Sequence, residues 1–398
     1  MDDRKILKKK ELIIIFVLAI LTILFFFKIP ASVSGNLKTD VRKIKIACEK
    51  LENREDCYAK AFENLTKTTD WNHSFDVLHE LQKVDKQAIG CHFIAHAISS
   101  AETQKNPSKW KEIMNAAPGE CSYGAAHGAL EVYASTFPDG KLPKNEIPNL
   151  CNNPDGNNCT HGLGHLLLVL NENNIPEALK DCERLPHNSF GKFECFTGVF
   201  MERSTASNLV IHGLATEEAL NWSPEKLPEL ESLCRDQTGV YAIACWKETA
   251  HVVSVALHND MQKVLEFCEK AQSEEAARQC IDHSFGIIGA SYHFELSRMS
   301  PICEARAKAQ DFKNRCYANL VSATLSTIPR EVPATVKFCG NISETYRKAC
   351  FTTIGNSLYL AKQEYKDLLA KECAKAPDEF KARCEQGGDS EVIFYAGT

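Results

Sequence analysis

The chain has 398 residues, 44% of them hydrophobic, and 46 Lys and Arg against 52 Asp and Glu, for a net charge of −6. That composition suits a folded protein, and the mixing of basic with acidic residues along the chain excludes the basic face a nucleic-acid partner needs. The eighteen cysteines are far more than a reducing compartment tolerates as regularly spaced thiols, so disulfides and an oxidising compartment are expected.

At the N-terminus Arg4, Lys5, Lys8, Lys9 and Lys10 precede an apolar run from Leu12 to Phe27, with Lys28 and Pro30 beyond. Basic residues ahead of an apolar stretch stay on the cytoplasmic side. The pattern therefore predicts a cytoplasmic basic tail over 1–11, a transmembrane signal anchor over 12–29, and a juxtamembrane segment over 30–47. The run approaches the ~20 residues that span a bilayer and exceeds a usual signal-peptide core, which favours an anchor over cleavage after Ala31, Ser32, Ser34 or Gly35. The expected topology is a single-pass membrane protein, N-terminus cytoplasmic and the remainder extracellular or periplasmic.

From there the cysteines set a rhythm. Cys57, Cys91, Cys121, Cys159, Cys195, Cys245, Cys280, Cys316, Cys350 and Cys384 recur about every 35 residues, and all but Cys91 and Cys121 have a partner 8 to 13 residues upstream. The partners are Cys48, Cys151, Cys182, Cys234, Cys268, Cys303, Cys339 and Cys373. Zinc modules would need pairs two to four residues apart, and no Cys-x-x-Cys occurs.

Before the first cysteine of a pair the chain reads as an amphipathic helix, as in Ile175, Ala178, Leu179, Cys182 and in Met261, Val264, Leu265, Cys268, at i, i+3, i+4 and i+7. After the second cysteine a richer apolar helix follows, as in 280–294 and 316–325, and should be the more buried of the two. Two repeats carry Gln82 and Ala117 where the first cysteine should stand, which predicts that Cys91 pairs with Cys121 across repeats. The long gap between Cys195 and Cys245 predicts an insertion over 204–233, dividing a His-rich half, 48–203, from plainer repeats over 234–398.

The expected fold is all-α: an α-solenoid of about ten helical-hairpin repeats of ~35 residues, stapled by disulfides, after one N-terminal transmembrane helix. Over about residues 48–398 this pattern resembles the tetratricopeptide-like and Sel1-like repeat arrays, particularly secreted disulfide-stapled ones with hairpins of similar length.

Aligning the repeats on the second cysteine exposes a polar stripe. Six residues beyond it stand His127, His165, Met201 and His251; His92, His96, Glu131 and His161 add to it. The pairs His92/His96, His127/Glu131 and His161/His165 are each i, i+4, which puts both members on one side of a helix, as two ligands of one metal require. Gly124, Gly162 and Gly198, three residues after the cysteine, would let neighbouring helices approach. Met201 reads as core, Glu202 lies about 100° off the stripe, and His251 is too distant unless the array curls tightly.

Two functional readings follow. In the first, His92, His96, His127, His161 and His165 hold a divalent transition metal, zinc first with copper or iron as alternatives, and Glu131 takes the proton from a metal-activated water in hydrolysis. In the second, a scaffold without chemistry binds a protein or peptide on its concave face. No His-Glu-x-x-His, Gly-x-Ser-x-Gly, P-loop or dinucleotide motif occurs, and cysteines assigned to bridges leave no cysteine nucleophile.

Overall fold

The computed structural model describes residues 36–51, 54–85, 88, 91–116, 121, 124–137, 142–151, 157–186, 188–204, 223–292, 294–305, 310–358 and 363–388. The tail at 1–11, the anchor at 12–29 and residues 30–35 lie outside the described residues. Among those described, no helix is long and apolar enough to cross a membrane, and no strand occurs.

Among the described residues, twenty α-helices follow one another in pairs. They are α1 (Leu37–Cys48) with α2 (Arg54–Thr68), α3 (Trp71–Val84) with α4 (His92–Lys105), α5 (Trp110–Ala116) with α6 (Gly124–Ser135), and α7 (Ile147–Leu150) with α8 (Asn157–Leu170). Then come α9 (Ile175–Glu183) with α10 (Ser189–Ser204), α11 (Leu227–Arg235) with α12 (Gly239–Ala256), and α13 (Met261–Cys268) with α14 (Glu274–Ser291). The series ends with α15 (Leu296–Ala305) and α16 (Gln310–Thr327), α17 (Val332–Asn341) and α18 (Glu344–Leu358), and α19 (Gln363–Cys373) and α20 (Lys381–Gln386).

Local chemistry starts the first helix of several pairs. The side chains of Asn36, Asp70, Asn174 and Asp260 accept hydrogen bonds from the backbone N–H groups of Thr39, His73, Glu177 and Lys263, caps that contribute about 1 kcal/mol each. Prolines in the first turn of α7, α9, α11 and α17 occupy a place where no helical N–H is needed. The first helices bury one stripe, Ile175, Ala178, Leu179 and Cys182 in α9 and Met261, Val264, Leu265 and Cys268 in α13. The second helices are buried on most sides: α12 encloses Ala244, Trp246, Ala250 and Val253 together with the polar Glu248 and Thr249.

Each second helix packs against the second helix of the pairs before and after it, in an unbroken series from α2 to α20. The core accordingly runs along the chain. Its principal apolar clusters are centred successively on Leu78 and Ile98, on Leu163 and Trp246, and on Val321 and Phe351.

All eighteen cysteines are in disulfides. Eight bridges are local: Cys48–Cys57, Cys151–Cys159, Cys182–Cys195, Cys234–Cys245, Cys268–Cys280, Cys303–Cys316, Cys339–Cys350 and Cys373–Cys384. The ninth joins Cys91 to Cys121 across repeats.

Residues 205–222 of the expected insertion lie outside the described residues. Its remaining part is different from expectation, because 227–233 belong to α11, whose Cys234 closes onto Cys245 as in the other pairs. The series of helices also curls. Arg330, in the 3-10 turn before α17, donates through Nη2 to the carbonyl of Gln82 at the end of α3, 2.9 Å away. A cavity of about 950 Å³ lies beside that contact, between Gln82, Lys83 and residues from Phe294 to Ser343.

Candidate metal centre

The site is built on four successive second helices, α4, α6, α8 and α10, brought together by glycine. A Cβ on Gly124 of α6 would lie 2.1 Å from the His92 carbonyl oxygen of α4, and one on Gly198 of α10 would lie 2.0 Å from that of His161 of α8. Any side chain there would push the helices apart. Gly162 serves differently: its missing Cβ would stand 2.8 Å from Cδ2 of His127, so it makes room for that ring.

In the space so formed, His127 of α6 and His161 and His165 of α8 converge. One ring nitrogen of each lies within 4.8 Å of the others, and all three residues are buried. This cluster could hold a metal ion. The closest approach is between the two Nε2 atoms of His161 and His165, 3.2 Å apart.

Hydrogen bonds on the far sides of those rings fix which nitrogen carries the proton. Thr197 of α10 donates its hydroxyl to the Glu194 carbonyl at 2.8 Å, so its oxygen accepts from His161 Nδ1 at 2.8 Å. Glu202, also on α10, accepts from His165 Nδ1 at 2.7 Å. With both protons on Nδ1, two Nε2 lone pairs face each other. Two nitrogens bound at ~2.0–2.1 Å to one tetrahedral ion stand about 3.3–3.4 Å apart, close to the separation observed.

His127 supplies the third donor. Neither of its ring nitrogens has a hydrogen-bond partner, although only 1% of the residue is exposed. Each unsatisfied buried polar group costs about 1–3 kcal/mol, which a ligand to those nitrogens would recover. Burial first, and the neighbouring His165, His92 and His161 next, hold His127 well below the usual imidazole range; burial and His165 do the same for His161. Both are therefore neutral, the form that binds metal.

The other expected ligands fall outside the group whose ring nitrogens come within 4.8 Å of one another, although His92 stays beside it. His92 stands edge-on to His127, ring centroids 5.0 Å apart. His96 Nε2 lies 2.9 Å from Glu131 Oε2, so the carboxylate expected to act as a base is engaged by a histidine of the preceding helix. The reason is axial: Glu131 sits one turn beyond His127 on α6, and that turn lies opposite His96 on α4. His251 is on α12, where burial and the nearby His283 lower its pKa and Glu248 opposes them.

Sequence reasoning undervalued α10. Thr197 and Met201 occupy the same places after Cys195 that His161 and His165 occupy after Cys159, yet neither Thr nor Met stands out in a search for charged or imidazole ligands. Met201 Sδ nevertheless lies 3.3 Å from His161 Nε2. Glu202 reaches His165 because the glycine contact between α8 and α10 brings residues on the flank of the stripe into range.

Beyond the trio a second polar group continues along α10, α12, α14 and α16. Glu194 lies 3.9 Å from His161 Nδ1 and 3.9 Å from Lys247 Nζ, and burial raises its pKa against the pull of Lys247. Lys247 is also 3.3 Å from Glu248, which His283 approaches at 3.6 Å. Asp282 pairs with Arg315 at 3.9 Å and accepts from Asn319 at 2.9 Å.

Comparison with protein-family models, with curated proteins and with solved structures finds no match for this chain.

Proposed function

We propose that this chain is an outward-facing α-solenoid, anchored by the segment 12–29, that holds a transition-metal ion on His127, His161 and His165. The serial packing of the second helices supports the solenoid, and nine disulfides support an oxidising compartment. The orientation rests on the basic residues ahead of Leu12. One observation carries the metal reading: the Nε2 atoms of His161 and His165 face each other at 3.2 Å while their Nδ1 atoms lie at hydrogen-bond distance from Thr197 and Glu202.

Metal holding is favoured over hydrolysis, because Glu131 is paired with His96 rather than turned toward the trio. A bound metal at this site would supply a Lewis acid, and the chain's own residues would orient it: Thr197 and Glu202 set the ligand tautomers, and Gly162 admits the His127 ring. A second reading, docking of a protein or peptide on the concave face, draws on the cavity of about 950 Å³ beside the Arg330–Gln82 contact.

The test is metal analysis of the full-length protein purified with its disulfides intact. About one transition-metal ion per chain is expected, and His165→Ala or His127→Ala should remove most of it with the helical signal preserved. A wild-type protein that neither carries nor takes up metal would overturn the reading.

A further inference from the structure

Resting on the metal reading above, we infer that the ion this centre selects is monovalent copper, with Met201 Sδ as a fourth ligand beside His127, His161 and His165. Met201 Sδ lies 3.3 Å from His161 Nε2, the same atom that faces His165 Nε2 at 3.2 Å. A nitrogen at ~2.0 Å and a sulfur at ~2.3 Å from one tetrahedral ion stand about 3.5 Å apart. The thioether thus stands where a ligand would, on the Nε2 side of His161 that also faces His165. The i, i+4 pair on α8 and Met201 on α10 approach this point from adjacent helices, and His127 approaches it from α6.

Donor chemistry then discriminates between metals. A thioether is a soft, uncharged ligand that selects monovalent copper, whereas imidazole alone suits zinc, copper, iron and nickel.

The experiment uses the full-length protein in detergent, disulfides intact and free of metal. It is titrated anaerobically with tetrakis(acetonitrile)copper(I) against bathocuproine disulfonate, and separately with zinc chloride against a zinc-responsive dye. One copper ion per chain is expected, held about 100-fold more tightly than zinc, and X-ray absorption at the copper edge should show sulfur together with imidazole nitrogen. Met201→Leu keeps an apolar side chain of similar size; it should weaken copper about tenfold or more, abolish the sulfur signal and leave zinc affinity unchanged. The wild-type spectrum reads the sulfur ligand even where the variant folds poorly. Zinc binding as tight as copper binding, or a wild-type copper spectrum without sulfur, overturns the copper assignment while the metal centre stands. Failure of both metals to bind overturns the metal centre as well.

Discussion

His165 on α8 is oriented by Glu202 on the next second helix, whose carboxylate accepts from Nδ1 across 2.7 Å with both side chains almost wholly buried. A ligand and the group that positions it therefore come from different repeats. The site exists only while α8 and α10 keep their spacing, so metal binding and the packing of these helices are coupled properties.

That coupling can be separated by substituting the positioning groups. Glu202→Gln can still accept from His165 Nδ1 but loses the charge, and Thr197→Val loses the acceptor for His161 Nδ1. Each should lower metal affinity about 10- to 100-fold with little change in the helical signal of the metal-free protein. Equilibrium competition against a chelator measures this, and affinities equal to wild type would show that the tautomers are not set by α10.

Glycine substitutions test the spacing itself. Gly198→Ala places a Cβ 2.0 Å from the His161 carbonyl oxygen, so the helices must separate, and a loss of about 1–3 kcal/mol or more is expected together with loss of metal. Gly286→Ala on α14 meets nothing within 4 Å and should stabilise its helix by up to about 1 kcal/mol. Chemical denaturation of the two variants side by side is the measurement. A Gly198→Ala protein as stable as wild type would contradict the close approach.

These residues also show what could be read from the sequence alone. The cysteine spacing displayed the repeat, the Cys91–Cys121 bridge, and the in-register glycines, because each obeys a period or fills a vacancy in one. Histidine spacing exposed His127, His161 and His165 through the same register. What it could not separate was which stripe members share a point in space. His96 and Glu131 satisfy each other, a matter of axial position across two helices. Met201 was hidden because an apolar side chain at a core position looks the same whether or not an imidazole nitrogen faces its sulfur.

The cross-repeat bridge carries its own expectation. Cys91 lies immediately before α4 and Cys121 shortly before α6, so the bond ties together the helices that bear His92 and His127. Closing that 30-residue separation contributes about 3–4 kcal/mol in the chain-entropy account, somewhat more than a local bridge such as Cys48–Cys57 with its separation of 9. Replacing Cys91 and Cys121 together by Ala should therefore cost more stability than replacing Cys48 and Cys57, and should weaken metal binding where the latter does not. Non-reducing peptide mapping checks the pairing, and a Cys91 peptide linked elsewhere would refute it.

Asp282 offers a test by pH, remote from the metal ligands. Burial raises its pKa from 3.8 to about 6, against the opposing effects of Arg315 and the hydrogen bond from Asn319. The native state therefore holds a proton on Asp282 between about pH 4 and 6 that the unfolded chain has already released. Where the native state binds more protons, stability falls as pH rises, so the region around α14 and α16 should lose up to about 3 kcal/mol across that window and change no further above it on account of this group. Asp282→Asn retains an oxygen to accept from Asn319 but cannot ionise, and should flatten the profile. Hydrogen exchange of the amides in α14 and α16, corrected for the intrinsic pH dependence of exchange, reads this local stability in a protein whose repeats need not open together. Parallel profiles for wild type and Asp282→Asn between pH 4 and 6 would show that the buried carboxylate is ionised throughout, held so by Arg315.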